Sequence, residues 1–356
     1  MQTLRFAASP SFYNDLRQRV NAYFTETNLP QTGNWWLYSK AIILILTCFA
    51  SYITAVFFTP ESTWAALSLC VILGIAVAGI GFNVMHDGSH GSFSTSRGLN
   101  KAAAFTLSLL GGSHFMWNLK HNTVHHTFTN VDGVDDDIDL RPFLRMCHTQ
   151  KHHAMHRFQH IYVLFLYGTT QFFWMFWLDF KKYFRGRIGN IPLTKDNMKV
   201  SDHIVFWLGK FACYFIFIGL PIMTVGLVPA LIGYGVFVAV TGFIISLVFQ
   251  LAHAVEHADF PLPNDAGQFE NEWAIHQVQS TANFATDNRL VTWFCGGLNF
   301  QIEHHLFPKV SHVHYPQISR IVRETCVAHN LNYIEFPQVS TAVQSHLRYL
   351  RALGQA

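Results

Sequence analysis

Residues 42–58, IILILTCFASYITAVFF, and 64–85, WAALSLCVILGIAVAGIGFNVM, are separated only by TPEST at 59–63. A membrane-spanning helix needs roughly 17–25 apolar residues, and neither stretch carries a charged side chain. With Pro60 in the short polar joint, the two read as a tight helical hairpin. Ile204–Met223 and Val228–Gln250 repeat the arrangement around Thr224–Leu227, with Lys210 as their one charge. The expected fold is an all-α integral membrane protein. Four transmembrane helices form two hairpins, and a cytosolic helical cap holds a dimetal site.

Composition agrees with that fold class. The 356 residues are 50% hydrophobic, 15% aromatic and only 13% charged, against about 25% charged in a soluble globular chain. A disordered chain, a fibrous repeat and an ordinary cytosolic globule are excluded. The formal charge of +3 comes with no basic run, which argues against a nucleic-acid partner. The six cysteines form no CxxC pair, so no disulfide framework is expected and the compartment reads as reducing. The polar N-terminus lacks the pattern of a cleavable signal peptide.

Lys and Arg set the orientation. Of the 24, all but Lys210 lie outside the spans, and neither hairpin turn contains one. The positive-inside rule then places both termini and the central region in the cytosol. Residues 161–178 are also apolar, but they contain Gln171, are dense in aromatics and run into Asp179-Phe180-Lys181-Lys182. A crossing there would leave the middle and late histidines on opposite faces, so this stretch is expected to lie in the interface. Residues 1–40 form an N-terminal cytosolic segment. In it Ser9-Pro10 starts a helix whose Phe12, Leu16, Val20 and Phe24 make an apolar stripe for the membrane surface. Residues 41–315 form the membrane domain and 316–356 a helical cytosolic tail.

Histidine is the other anomaly, with 21 residues against 21 Asp and Glu. His86 and His90 are four apart and share a helix face. So do His121 and His125, while His126 points about 100° further round an α-helix. His253 follows the fourth span, and His304-His305 closes the set. Eight imidazoles exceed the four ligands of one structural zinc and suit two ions. Neutral imidazole accepts zinc, copper, iron or nickel, so spacing alone leaves the metal open. Ligand imidazoles usually donate their other N–H to a carboxylate or carbonyl, and Asp87, Glu303, Glu256 and Asp135-Asp136-Asp137 with Asp139 are candidates. The acidic run reads equally as a solvated loop. His257 and His312 are candidates for an extra ligand or for hydrogen-bonding neighbours of the set, and His114, His276 and His314 for supporting residues. His148, His152, His153, His156 and His160 are expected at the interface or in solvent.

The segments His86–His90, His121–His126 and Gln301–His305 resemble the three histidine boxes of the membrane fatty acid desaturases. Gln301, standing where most of that superfamily carries a third-box histidine, resembles the front-end delta-5 and delta-6 group and its bacterial acyl-CoA or acyl-lipid relatives. Gln250-Leu251-Ala252-His253 resembles the extra ligand position after the fourth span, and Asn283 a polar residue before the third box. The resemblance implies a di-iron centre that activates O2 and oxidises a methylene pair to a cis double bond, with two electrons per turnover. No His-Pro-Gly-Gly haem motif occurs, so no bound haem, flavin or nucleotide is expected. Ferredoxin, or cytochrome b5 with its reductase, is the expected donor. The acyl group would arrive on coenzyme A, a carrier protein or a lipid, in a bacterial inner membrane rather than the endoplasmic reticulum.

An acyl chain needs a dry slot beside the metals. Phe115, Trp117, Trp293 and Phe294 are candidates to line it, and core packing is an equal reading of each. Lys120, Arg141 and Arg145 are candidates for a phosphate-bearing head group. The same metals could serve a lipid hydroxylase, an acetylenase or a sphingolipid desaturase. A histidine-rich metal transporter would instead place ionisable groups along its spans, which these spans lack.

Overall fold

The structure is a computed structural model that describes residues 4–9, 11–189, 191–194 and 197–356. Pro10, read above as a first-turn residue, lies outside the described residues. Among the described residues the chain is mostly helical, and its strands are two residues long. Arg187–Ile188 pairs antiparallel with Ile191–Pro192, and Asn283–Phe284 pairs parallel with Glu335–Phe336. Among the described residues, five helices are long and apolar enough to cross a membrane: Trp35–Phe57, Thr63–His90, Ala154–Arg185, Val200–Val225 and Leu227–His253. Four contain the stretches read as spans. The fifth extends the 161–178 stretch at both ends, so length and composition permit it to cross as well.

By its contacts the chain divides into two compact units, 34–119 with 164–247, and 1–33 with 120–163 and 248–356. In the first, Asn34 and Ser62 cap the opening helices with their side-chain oxygens. Leu73, Val77, Met175, Cys213, Tyr234, Phe237 and Val238 form a buried core. Gly74 lets the helix backbones close up, since a Cβ there would sit 2.9 Å from Val240. Ile43, Leu46, Phe49, Phe211 and Leu231 stay exposed, as lipid-facing side chains do. The lone span charge is paired: Lys210 Nζ lies 3.0 Å from Asp179 Oδ2 and donates to the carbonyls of Gly111 and Met175. Asp179 also accepts from Ser113 N–H and Trp174 Nε1–H. A buried charge survives only when paired and hydrogen-bonded in this way.

The second unit revises two expectations. Phe12, Leu16, Val20 and Phe24 of the helix Ser11–Thr27 are buried. They pack against Ala274, Val278, Ile318 and Val322. The amphipathic stripe is therefore satisfied by protein, with the tail helix Tyr315–Ala328 as its main partner, and no longer needs a membrane surface. His156 is buried instead of solvent-facing. Its Nδ1 accepts His153 N–H, and its Nε2 lies 2.8 Å from the carbonyl of Pro142. The last helix, Val339–Gln355, packs on the same segment.

Candidate metal centre

A short helical turn, His114–Trp117, runs into a π-helical segment, Asn118–His125. There the His126 N–H donates to His121 C=O at 3.1 Å, a bond five residues long. The wider turn brings residues five apart nearly above one another. His126 therefore does not diverge as α-helical spacing predicts. Its ring centroid is 4.8 Å from that of His121, and His121 and His125 stack at 5.2 Å. His253 ends the helix Leu227–His253, while His304 and His305 sit on Gln301–Leu306.

These six imidazoles converge. His125, His253 and His305 have ring centroids 4.8–5.0 Å apart, and His126 lies 4.6 Å from His304 and 4.4 Å from His305. One ligand atom each from His125, His253 and His305 falls within 4.8 Å of the others, and the same holds for His126, His304 and His305. All six are buried.

The far nitrogen of four rings is held. His125 Nδ1 lies 2.9 Å from Asp135 Oδ2, His253 Nδ1 3.4 Å from Ser280 C=O, His304 Nδ1 3.2 Å from Tyr315 OH, and His305 Nδ1 2.8 Å from Gln277 Oε1. A carboxylate, a backbone carbonyl and an amide oxygen can only accept, so at His125, His253 and His305 the proton stands on Nδ1 and Nε2 keeps its lone pair. His125 Nε2 is buried without a hydrogen-bond partner, a costly state for a nitrogen base in isolation. A lone pair of that kind, in a cluster of neutral imidazoles, fits a borderline transition-metal ion. Burial disfavours the charged form of His125, but the Asp135 carboxylate and its hydrogen bond outweigh this and raise its pKa.

Gln301 lies inside the cluster. Its amide nitrogen is 3.0 Å from His253 Nε2 and 3.3 Å from His305 Nε2, and a half-turn of the amide presents the oxygen there. Asn283 braces the backbone of the same helix. Its Oδ1 accepts Ile302 N–H and its Nδ2 donates to Glu303 Oε2. Glu303 holds Asn283 and Tyr333, not an imidazole, and burial pushes its carboxyl up to about 7.

In the other unit, His86 and His90 follow a π turn, Gly81–Met85. Their rings are 4.7 Å apart, and both meet Trp117, at 5.8 and 6.1 Å. The intervening Gly88 is required, because a Cβ would fall 2.6 Å from Ala104 N. Asp87 is buried, and its carbonyl accepts Ser92 N–H.

Several candidates lie elsewhere. His257 is exposed in a turn at φ +74°, because the helix has ended and the chain reverses. Glu256 faces Arg348. His312 is buried against Gly297, outside the converging groups of the described residues. Trp293 is exposed, Phe294 half-buried, and Phe115 packs with Met116, Ile188 and Met198. Arg145 is buried and commits one N–H of each nitrogen to the carbonyls of Gln150, Leu353 and His148, a structural role in place of a head-group contact. Arg141 pairs with Asp139, and Lys120 with Asp137. Sequence reasoning missed Tyr315, Tyr333, Gln277 and Asn130, whose Nδ2 reaches the carbonyls of His253, Asp259 and Ser280. No spacing signal marks them.

Comparison with known proteins decides the family. The fatty acid desaturase family matches residues 62–337. The sn-1 linoleoyl-lipid 6-desaturase of Synechocystis is 36% identical over 373 residues, covering 100% of this chain and 99% of its own. The chain belongs to the fatty acid desaturase family. As a desaturase it is an oxidoreductase of lipid metabolism. It is also similar to the sn-1 linoleoyl-lipid 6-desaturase of Arthrospira platensis, 33% identical over 98% of this chain and 94% of that one. The acyl-lipid (8-3)-desaturase of Physcomitrium patens is 36% identical over 98% and 72%. All the histidines above from His86 to His305 fall within the matched desaturase region, as do Gln277, Tyr315 and Tyr333.

Proposed function

We propose that this desaturase holds two iron ions and introduces a cis double bond on the carboxyl side of an existing one, in an acyl chain esterified to a lipid. The ligand set carried from the sequence is His86, His90, His121, His125, His126, His253, His304 and His305, with Gln301 beside it. The reading rests on one observation: His125 Nε2 is a buried lone pair with no hydrogen-bond partner, and His253 and His305 each offer a nitrogen close by. A di-iron centre supplies the activation of O2 that removal of two hydrogens from a methylene pair requires.

The chain's own residues prepare that chemistry. Asp135, Ser280 and Gln277 keep protons on the Nδ1 atoms, which aims the Nε2 lone pairs inward. Burial of all six imidazoles excludes water. The lipid-linked substrate and the front-end position follow the named activities of the relatives. The two electrons come from ferredoxin or cytochrome b5, docked from the cytosol.

The membrane topology is four crossings, with both termini and the metal site cytosolic in a bacterial inner membrane. His126 and His305 lie 4.4 Å apart within one unit, and three apolar helices intervene between His126 and His304. An even number of crossings is needed to return to the same side, which supports an interfacial Ala154–Arg185. Thr194→Cys should then react with an impermeant thiol reagent only from the cytosolic face. Reaction from the other face assigns that helix a crossing.

Expression in a bacterial host without polyunsaturated lipids, fed linoleate, tests the activity. The expected product has lost two hydrogens and carries the new double bond nearer the carboxyl end, in aerated cultures only. Gain of one oxygen would assign hydroxylation instead, and an unchanged lipid profile with no bound iron would defeat the reading.

A further inference from the structure

Four imidazoles of the cluster hold their far nitrogens by four different kinds of acceptor, and one of these stands apart. Gln277 lies on the short helix Trp273–Gln279, away from every histidine box, and is fully buried. Its Oε1 is 2.8 Å from His305 Nδ1 and 2.7 Å from Thr129 Oγ1. Thr129, also fully buried, lies 2.7 Å from the His125 carbonyl and 3.2 Å from His305 Nδ1. The Gln277 amide oxygen therefore lies within reach of the His305 Nδ1–H and of the one Thr129 hydroxyl proton, which it shares with the His125 carbonyl, while the amide nitrogen faces the Thr127 carbonyl at 3.5 Å.

We propose that Gln277, seated by Thr129, is a positioning residue for His305. It holds the proton on Nδ1, so that Nε2 presents its lone pair to the metal. The amide can do this in one orientation only. Turned over, its NH2 would meet His305 Nδ1 and drive the proton to Nε2, which removes His305 as a ligand. The Thr127 carbonyl, which can only accept, selects the productive orientation, since of the two ends of the amide only the NH2 can donate to it. His305 falls in both converging groups, with His125 and His253 and with His126 and His304, and its one Nε2 lone pair can serve whichever ion it binds only while Nδ1 keeps the proton. The inference rests on the metal-centre reading above.

The test is anaerobic titration of Fe(II) into metal-free full-length protein in detergent, with affinity read by chelator competition and folding by thermal melting. Gln277→Met keeps the volume and removes the acceptor. Its Fe(II) affinity should fall by about 10–100-fold, the usual effect of losing a partner behind a ligand imidazole. Gln277→Glu, which restores an acceptor, should recover most of it. Failure of Gln277→Met to fold while Gln277→Glu folds and binds would also support the acceptor role. A Gln277→Met protein that binds like wild type, or equal loss of binding or folding in both variants, would overturn it. Wild-type protein that takes up no Fe(II) would defeat the metal-centre reading, and this inference with it.

Discussion

Asp135→Asn is the most informative single substitution in the cluster. The carboxylate is buried and receives three donors: His125 Nδ1–H at 2.9 Å and Asn130 N–H at 3.0 Å on Oδ2, and Asp137 N–H at 3.0 Å on Oδ1. An amide has one oxygen. With that oxygen in the Oδ2 position, the NH2 confronts the Asp137 N–H and one backbone donor is lost. With the amide reversed, two donors are lost, including the one that orients His125. The first orientation wins, at a cost of about 1–3 kcal/mol for the stranded buried donor. The His125 tautomer survives, but the nearer of the two carboxylates behind the ring is gone, with Asp137 left at 3.4 Å, and the ring becomes a poorer electron donor. We therefore expect metal-free Asp135→Asn to lose about 1–3 kcal/mol of stability and its Fe(II) affinity to fall by roughly 10–100-fold. Chemical unfolding of the apoprotein and anaerobic chelator competition measure the two separately. Asp139→Asn, at an exposed carboxylate of the same loop, is the control and should stay within about 0.5 kcal/mol. Wild-type stability and affinity in Asp135→Asn would refute the reasoning, since three donors cannot be satisfied by one amide.

Three further outcomes follow from the packing and the buried ionisable groups. Leu16→Ala should destabilise the protein by about 2–5 kcal/mol through lost burial and a cavity, with exposed Gln18→Ala near neutral. A membrane-lying helix would show lowered lipid partitioning and no change in melting. Lys210→Met strands Asp179 beside Ser113 and Trp174 and should cost about 3–5 kcal/mol. Asp179→Asn added to it should recover part of the loss in the same melting assay. Burial lowers the pKa of His346 to about 4 from 6.5, so the unfolded chain binds a proton there that the folded one refuses. Stability should fall as pH drops from 6.5 toward 4, by about 2 kcal/mol at pH 5, and His346→Gln should remove that slope in unfolding curves.

The spans and the histidine clusters were legible because both are signals of composition. Uncharged runs such as 228–250 admit few structures other than a buried or spanning helix, and HxxxH marks a helix face. What stayed hidden was local geometry and distant pairing. Three imidazoles of one box are gathered by π bonding at 118–125, which no spacing rule written for α-helices foresees. The N-terminal stripe was visible, yet amphipathicity states only that a face must be covered, and Ile318 and Val322 do so in place of lipid. Lys210 looked solitary because its partner, Asp179, lies on another helix.

The partners behind the imidazoles expose a bias in reasoning from residue type. Residue type alone points to acids behind the imidazoles. The carboxylates found, Asp135 at 2.9 Å and Asp137 at 3.4 Å, both stand behind His125 Nδ1, while Ser280 C=O, Tyr315 OH and Gln277 Oε1 are neutral. The energetics favour that outcome. Each buried carboxylate costs several kcal/mol of desolvation unless its charge is answered, and Glu303, buried without an imidazole partner, answers that cost by drifting toward neutrality. Fixing a tautomer needs only an acceptor in the right place, which a carbonyl supplies without a charge. The anions gathered at His125, those of Asp135 and Asp137, make that ring the strongest donor of its group, so the cluster is electronically uneven although its ligands are chemically alike. That unevenness is set by which partner, charged as Asp135 or neutral as Gln277, folding brings behind each ring, and these partners lie outside the boxes.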